Sequence, residues 1–522
     1  MTLYVLRKLG LVFVMLLVGG QSARAETAAE IVGRVREAIG IDAFEKSGKA
    51  IKTTGRTEFL DLEGDYSFVF DAEGRFVRRY DIAVPNEAVF DGETVRSRDI
   101  GGEVTDLSLG DRANAIFMAW AITGRWFGED QSPKFRLDEK LTADGAVVIS
   151  TDVDEGRTTL RAFISRETWR PTMWEIQSAS DVTSLEISGY EKAGPLFLPQ
   201  KVTILSPHGS RNMLDMRASR LIATPDWPRE MAALKQTNGA RFAKNVNPDV
   251  ETKRADSGHL LVHPTIDGKD LGWFIFDTGA GQNVIDNRAM EEAGLKRFAA
   301  IPAVGVGGAT QASLSRCNEL TLGPATMSDV LLVGMDLAFL DAHMGEMIAG
   351  VIGYGMLARC VVELDLPESS VRIFDPLAYQ LTGAQWTPLM LYDRHPCIPG
   401  KFEGHDATFR LDTGATGTVT FHTPTVERLK LLDKRKHRPT TVGGVGGFKA
   451  ARTGKVKWIE LGGKRHKKVE ADFATHSTGA FADPYIDANI GGALIGESIL
   501  ILDYPNGRIA FKDRETKARG DE

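Results

Sequence analysis

The hydrophobic rhythm of the chain changes along its length. Just after residue 26, Ile31, Val35 and Ile39 recur every four residues and Gly40 follows, which predicts a short amphipathic helix over 27–39 with a glycine stop. From Ile51 the period shortens to two. Tyr66-Ser67-Phe68-Val69-Phe70 and Gly74-Arg75-Phe76-Val77-Arg78-Arg79-Tyr80 alternate as strands do, and Glu63-Gly64-Asp65, Asp71-Ala72-Glu73-Gly74 and Asp91-Gly92 mark turns between such stretches. A second helix is predicted over 113–122, and strands resume over 146–150, 158–165, 185–190 and 201–205. Together these elements predict a curved antiparallel sheet wrapped around a helical plug across residues 26–225, with Trp120, Trp126, Trp169 and Trp174 in its core. Residues 226–257 lose the period. They follow a Pro-rich start at Thr224-Pro225-Asp226-Trp227-Pro228, hold a short helical piece, end in the polar stretch 245–256, and read as a linker.

Beyond the linker the chain repeats itself, with 258–376 aligning on 395–513. Phe274-Ile275-Phe276-Asp277-Thr278-Gly279-Ala280 returns as Phe409-Arg410-Leu411-Asp412-Thr413-Gly414-Ala415, its aspartate 412 − 277 = 135 residues later. A helix signal follows each copy: Asp286 as N-cap with Glu291, Glu292 and a stop at Gly294, then Thr423 as N-cap with Pro424 at the first helical position. Next come glycine-rich stretches, Val304-Gly305-Val306-Gly307-Gly308 and Val442-Gly443-Gly444-Val445-Gly446-Gly447. Strands ending in Leu322-Gly323 and Leu461-Gly462 come after them. Two apolar residues and a glycine close each copy, Val351-Ile352-Gly353 and Leu494-Ile495-Gly496, before acids at Asp365 and Asp503. Five features in one order, twice, are not chance.

This order resembles the aspartic-peptidase family, in particular its retropepsin-like bacterial branch, over about half the chain. The resemblance implies a mainly β protein whose second half is two similar β-barrel lobes, residues 258–380 and 381–513, each supplying one Asp-Thr-Gly loop. It implies that Asp277 and Asp412 are the catalytic pair, that Thr278 and Thr413 cross-link the loops beneath them, and that Gly279 and Gly414 let backbone N–H groups reach the carboxylates. Thr416 would hydrogen-bond a carboxylate from the second loop; the first loop has Gly281 there, a departure that makes the lobes unequal. Gly305, Gly307 and Gly308, with Gly444, Gly446 and Gly447, would form two flaps. Ile352 and Gly353, with Ile495 and Gly496, would run beside the loops, the glycines allowing close backbone approach.

The first region resembles periplasmic lipoprotein-carrier and lipoprotein-sorting families. What carries the likeness is the opening helix, the Phe70-Asp71-Ala72-Glu73-Gly74-Arg75 hairpin, the Phe90-Asp91-Gly92 turn and the strand Leu196-Phe197-Leu198-Pro199-Gln200-Lys201-Val202. That resemblance implies a lipid or lipoprotein partner on a concave face; a filled accessory domain is the alternative.

Composition narrows the setting. The chain has 522 residues, 43% hydrophobic and 25% charged, which at roughly 150 residues per domain suggests about three domains. Its formal net charge of −7 argues against nucleic acid as a partner. Arg7 and Lys8, the apolar run 11–18 and Ala23-x-Ala25 form the layout of a signal peptide over 1–25, with an uncleaved anchor as the alternative, so the protein is expected to be exported, periplasmic or secreted. Cys317, Cys360 and Cys397 are too few and odd in number for a disulfide framework and are expected as small buried hydrophobes, although one pair could form. The basic runs 434–438 and 464–468 read as solvated faces, with contact to an anionic membrane surface as the alternative, and 514–522 as a charged tail.

Hydrolysis without a metal or a nucleophile needs a base for water and an acid for the carbonyl oxygen. Two carboxylates side by side share one proton and supply both. The reading is therefore an exported aspartic endopeptidase with no cofactor and no metal, acting on a peptide or protein substrate. It should be most active in acid and monomeric through pairing of its own lobes. The rival is a non-hydrolytic lipid-, lipoprotein- or peptide-binding protein. Thr310 stands where a dinucleotide fingerprint begun at Gly305 and Gly307 needs its third glycine, and neither Gly-x-Ser-x-Gly nor His-Glu-x-x-His occurs.

Overall fold

The computed structural model describes residues 26–129, 135–142, 145–179, 181–207, 209–236 and 239–514; the leader 1–25 and the tail from 515 lie outside the described residues. The protein is mainly β. Its first part is a 13-stranded antiparallel sheet in which the first strand, Ala50–Phe59, pairs with the last, Arg211–Ile222, near the middle, while Val104–Asp106 and Arg136–Leu137 form the edges. Thr27 caps the helix Ala28–Ile39 through a reciprocal capping box with Glu30, and Gly40 closes it in the left-handed region. A second helix, Ile41–Ser47, is too short to have shown a period. The third, Leu109–Thr123, begins four residues before its predicted start. All three bury apolar faces against the sheet in one core with Phe68, Phe70, Trp126 and Trp174, against which Trp120 and Trp169 pack half-buried. The concave side is thus filled by the protein's own side chains.

The segment read as a linker is part of the fold. Asp226 accepts from the backbone N–H of Arg229 to cap the helix Trp227–Ala233, and Trp227 packs with Val77 and Val89 of the sheet. Ala240–Phe242 then pairs with Ala325–Met335, and Thr252–Arg254 with Leu260–Val262, so the segment adds strands to the first lobe. Pieces of three residues are too brief to carry a periodicity.

Each repeat curls into a β lobe, consistent with a double-lobed aspartic-peptidase fold, on sheets of 11 and eight strands. A five-stranded sheet takes Val361–Asp365 and Ser370–Phe374 from one side and Ile499–Asp503 and Arg508–Lys512 from the other, so the lobes share one floor. A single core runs through both, with Phe274, Phe276 and Ile352 in the first lobe and Phe409, Leu411 and Ile490 in the second. Cys317, Cys360 and Cys397 are buried and unpaired.

The sheet domain is seated on both lobes. Glu103 and Arg359 form a buried ion pair. The Ser108 hydroxyl donates to the carbonyl of Leu391 (2.6 Å), and the N–H of Asp393 donates to Asp111 (2.6 Å). Val84, at a loop between strands, is 0% exposed and belongs to one apolar cluster with Ile275, Leu314, Leu331 and Val351. Among the described residues no helix is long and apolar enough to cross a membrane.

Candidate active site

Alternation in the strand Trp273–Phe276 sends Phe274 and Phe276 into the lobe core and leaves Ile275 on the opposite face, the side toward which Asp277 points. The strand runs parallel to Ile348–Ile352, and the N–H of Asp277 donates to the carbonyl of Ile352 at 2.9 Å. The chain then turns, and the N–H of Tyr354 donates to Ala280 (2.9 Å). Gly353 is required here because a Cβ would lie 2.5 Å from the carbonyl oxygen of Ala280. The second lobe repeats the crossing with His405–Asp412 against Ala488–Gly491.

That register corrects one assignment. Leu411 pairs with Ile490 and Asp412 with Gly491, so Ile490 and Gly491, not Ile495 and Gly496, are the counterparts of Ile352 and Gly353. A Cβ on Gly491 would lie 2.3 Å from the carbonyl of Gly417, the same crowding that Gly353 meets. Ile495 and Gly496 fall at the end of the short helix that follows, Gly492–Ile495. The apolar-apolar-glycine pattern misled because Asn489 replaces the first apolar residue.

The two loops meet. Asp277 and Asp412 lie within hydrogen-bonding reach of each other. Each carboxylate sits over the other loop's glycine: a Cβ on Gly279 would be 2.4 Å from Asp412 Oδ1, and one on Gly414 would be 2.4 Å from Asp277 Cγ. The N–H groups of Gly279 (2.6 Å) and Gly414 (3.0 Å) both donate to Asp277 Oδ1. Beneath them the Thr278 hydroxyl donates to the carbonyl of Leu411 (2.8 Å) and accepts from the N–H of Thr413, while the Thr413 hydroxyl donates to Phe276 and accepts from the N–H of Thr278, each at 3.0 Å. Burial, then the charge of Asp412, push the Asp277 carboxyl well above the usual carboxylate range, against the pull of the two N–H groups.

The lobes differ at the residue after each Asp-Thr-Gly-Ala. Thr416 is exposed and makes no hydrogen bond to Asp412 among the described residues; its reach is taken by Asn489, 2% exposed, whose Nδ2 donates to Asp412 Oδ2 at 2.6 Å. Gly281 lies against Asp393 and Arg394, where a Cβ would come within 3.3 Å of a backbone oxygen. The capping of the second lobe's helix also departs from expectation: His422 occupies the N-cap of Thr423–Arg428 and Thr423 is its first residue, donating its hydroxyl to His476 (2.6 Å).

Both glycine-rich stretches are hairpin tips, between Ala299–Gly305 and Gly308–Leu322 and between Arg438–Gly444 and Gly447–Leu461. Gly308 (φ 120°) and Gly447 (φ 108°) take backbone angles that side chains resist. The tips touch. The N–H of Gly307 donates to Val445 at 2.9 Å, and a Cβ on Gly307 would lie 1.9 Å from a backbone carbon of Gly446. Ile301, Ala303 and Val445 of the hairpins pack in the same apolar cluster as Ala280 of the first loop.

Two histidines complete the surroundings. His259 Nε2 donates to the carbonyl of Gly414 at 2.8 Å, and His395 Nε2 to the carbonyl of Gly279 at 2.9 Å, each across the lobe boundary. Burial holds the His259 imidazole below its ordinary range and that of His395 down to about 4. The signal was in the sequence: His259 precedes its aspartate by 277 − 259 = 18 residues and His395 by 412 − 395 = 17.

Comparison with known proteins agrees with the architecture. A family model described as aspartyl protease matches residues 262–356 and again residues 398–494, once per lobe. No curated protein matches the chain.

Proposed function

We propose that the protein is an aspartic endopeptidase in which Asp277 and Asp412 share one proton and activate water. The observation that carries this reading is the convergence of two carboxylates over each other's glycine, on loops tied by reciprocal threonine bonds. Asp277, pushed upward, keeps the proton. Asp412, supported by the Asn489 amide, is the base. In the reaction so assigned, water attacks the peptide carbonyl carbon while Asp412 takes its proton and Asp277 gives its own to the carbonyl oxygen. The tetrahedral diol then collapses. One hydroxyl proton returns to the pair, the amide nitrogen receives a proton, and the C–N bond breaks to leave a carboxyl and an amine. The touching hairpins suit an extended peptide held by backbone hydrogen bonds.

Export is part of the proposal and rests on the charged, apolar and small-residue layout of residues 1–25. The experiment is digestion of denatured protein by wild type and by Asp412→Asn. The variant is expected to keep its fold and to lose at least about a thousandfold in rate, as removal of a member of a concerted catalytic unit does. A folded wild type that cleaves no peptide library between about pH 3 and 7, a span wide enough to cross the upper titration of such a pair, would leave the binding-protein reading in its place.

A further inference from the structure

We propose that His259 and His395 are positioning residues for the aspartate pair, each pinning the opposite lobe's glycine through an Nε2–H donated to its carbonyl. The kinetic arm of the test rests on the peptidase reading; the other arms do not.

A carbonyl oxygen only accepts, so the distances of 2.8 and 2.9 Å fix the hydrogen on Nε2 in both rings. In His259 the other nitrogen, Nδ1, is free to accept from the hydroxyl of Ser257 (2.7 Å). In His395 it is buried without a hydrogen bond, 3.9 Å from Asp393. Burial favours the neutral form of both rings, lowering His259 from its ordinary range and His395 down to about 4.

The glycines they hold are the two whose N–H groups converge on Asp277 Oδ1. Each glycine is therefore fixed on both sides of its Cα, with its N–H on the carboxylate and its carbonyl on a histidine. Glycine is the residue least able to hold its own conformation, and both loops need it because the opposite carboxylate leaves no room for a Cβ. A side-chain donor from the other lobe supplies the missing rigidity and ties loop position to lobe pairing. Two loops with one partner type, reached in the same crosswise manner, exceed what satisfying a stray buried carbonyl would need.

The test uses the full chain with leucine (no donor) and glutamine (a donor of similar reach) at each position. Nitrogen-15 spectra of histidine-labelled wild type are expected to show the Nε2–H tautomer at both rings. Carbon-13 spectra of aspartate-labelled His259→Leu and His395→Leu are expected to show the upper titration of the pair displaced upward by about one pH unit, since loosened N–H groups no longer favour the ionised form. On a cleavable peptide the leucine variants should lose about 10- to 100-fold in kcat, the cost of a small misplacement, with KM nearly unchanged. The glutamine variants should recover most of both effects.

An Nδ1–H tautomer in wild type overturns the proposal. So does a pair titration unmoved in the leucine variants, or kcat, KM and Tm falling together whether or not a donor is kept. Should leucine prevent folding, asparagine, polar but too short to reach the carbonyl, takes its place. If wild type cleaves nothing, the peptidase reading fails, and the tautomer and carboxyl titrations still decide this one.

Discussion

Thr278 and Thr413 each hold the other's loop: the hydroxyl of one accepts the backbone N–H of the other at 3.0 Å, in both directions. Neither aspartate can move without carrying its neighbour. Thr278→Val leaves the Thr413 N–H buried without an acceptor and removes the donor to Leu411. It should cost about 2–3 kcal/mol of stability in urea unfolding, while Thr278→Ser should cost far less. Equal losses for valine and serine would mean that the methyl group, not the hydroxyl, matters.

Asn489 gives the second lobe a side-chain donor that the first lobe lacks, since Val351 occupies the matching register position beside Ile275. Asn489→Leu should lower kcat/KM by roughly tenfold, the loss of about one charge-assisted hydrogen bond, and move the acid limb of the pH profile toward neutrality. An unchanged profile in peptide kinetics would remove Asn489 from the site.

The raised Asp277 carboxyl has a consequence for stability. The folded state binds this proton more tightly than the unfolded chain does, so its contribution is complete in acid below the ordinary carboxylate value and is lost as pH rises toward the folded value. Asp277→Asn is neutral at every pH and escapes that loss. Melting curves should show the variant above wild type by a few degrees near neutrality, with the gap closing in acid. A gap that widens in acid would contradict the assignment.

Gly307 has no room for a side chain, because the opposite hairpin's Gly446 fills the space. Gly307→Val should part the two tips and reduce kcat/KM by about tenfold through lost closure, while Tm stays near that of wild type because both tips lie outside the lobe core. A large fall in Tm would place the tip contact among the fold's supports instead.

Much of this was legible in the amino-acid order. The repeat placed Asp277, Asp412 and their threonines, and hydrophobic alternation placed the sheet around its helices. What escaped has physical reasons. The segments Ala240–Phe242 and Thr252–Arg254 gain their strand character from partners far along the chain, which no local pattern reports. Asn489 broke the apolar pattern because it serves a carboxylate and not the core, and that drew the alignment five residues downstream to Ile495. The histidines stand at matching offsets before their aspartates, but that signal named no role because their partners are main-chain carbonyls, which every residue carries.

Val84 closes a cluster whose other buried members, Ile275 and Val351 among them, lie far downstream. A ribosome delivers Val84 before Val351 by 351 − 84 = 267 residues, which at roughly 5–20 residues per second is a wait of tens of seconds or less. For that interval the newborn sheet carries an unfinished greasy underside, and whatever accompanies the nascent polypeptide must shield it until the second half arrives.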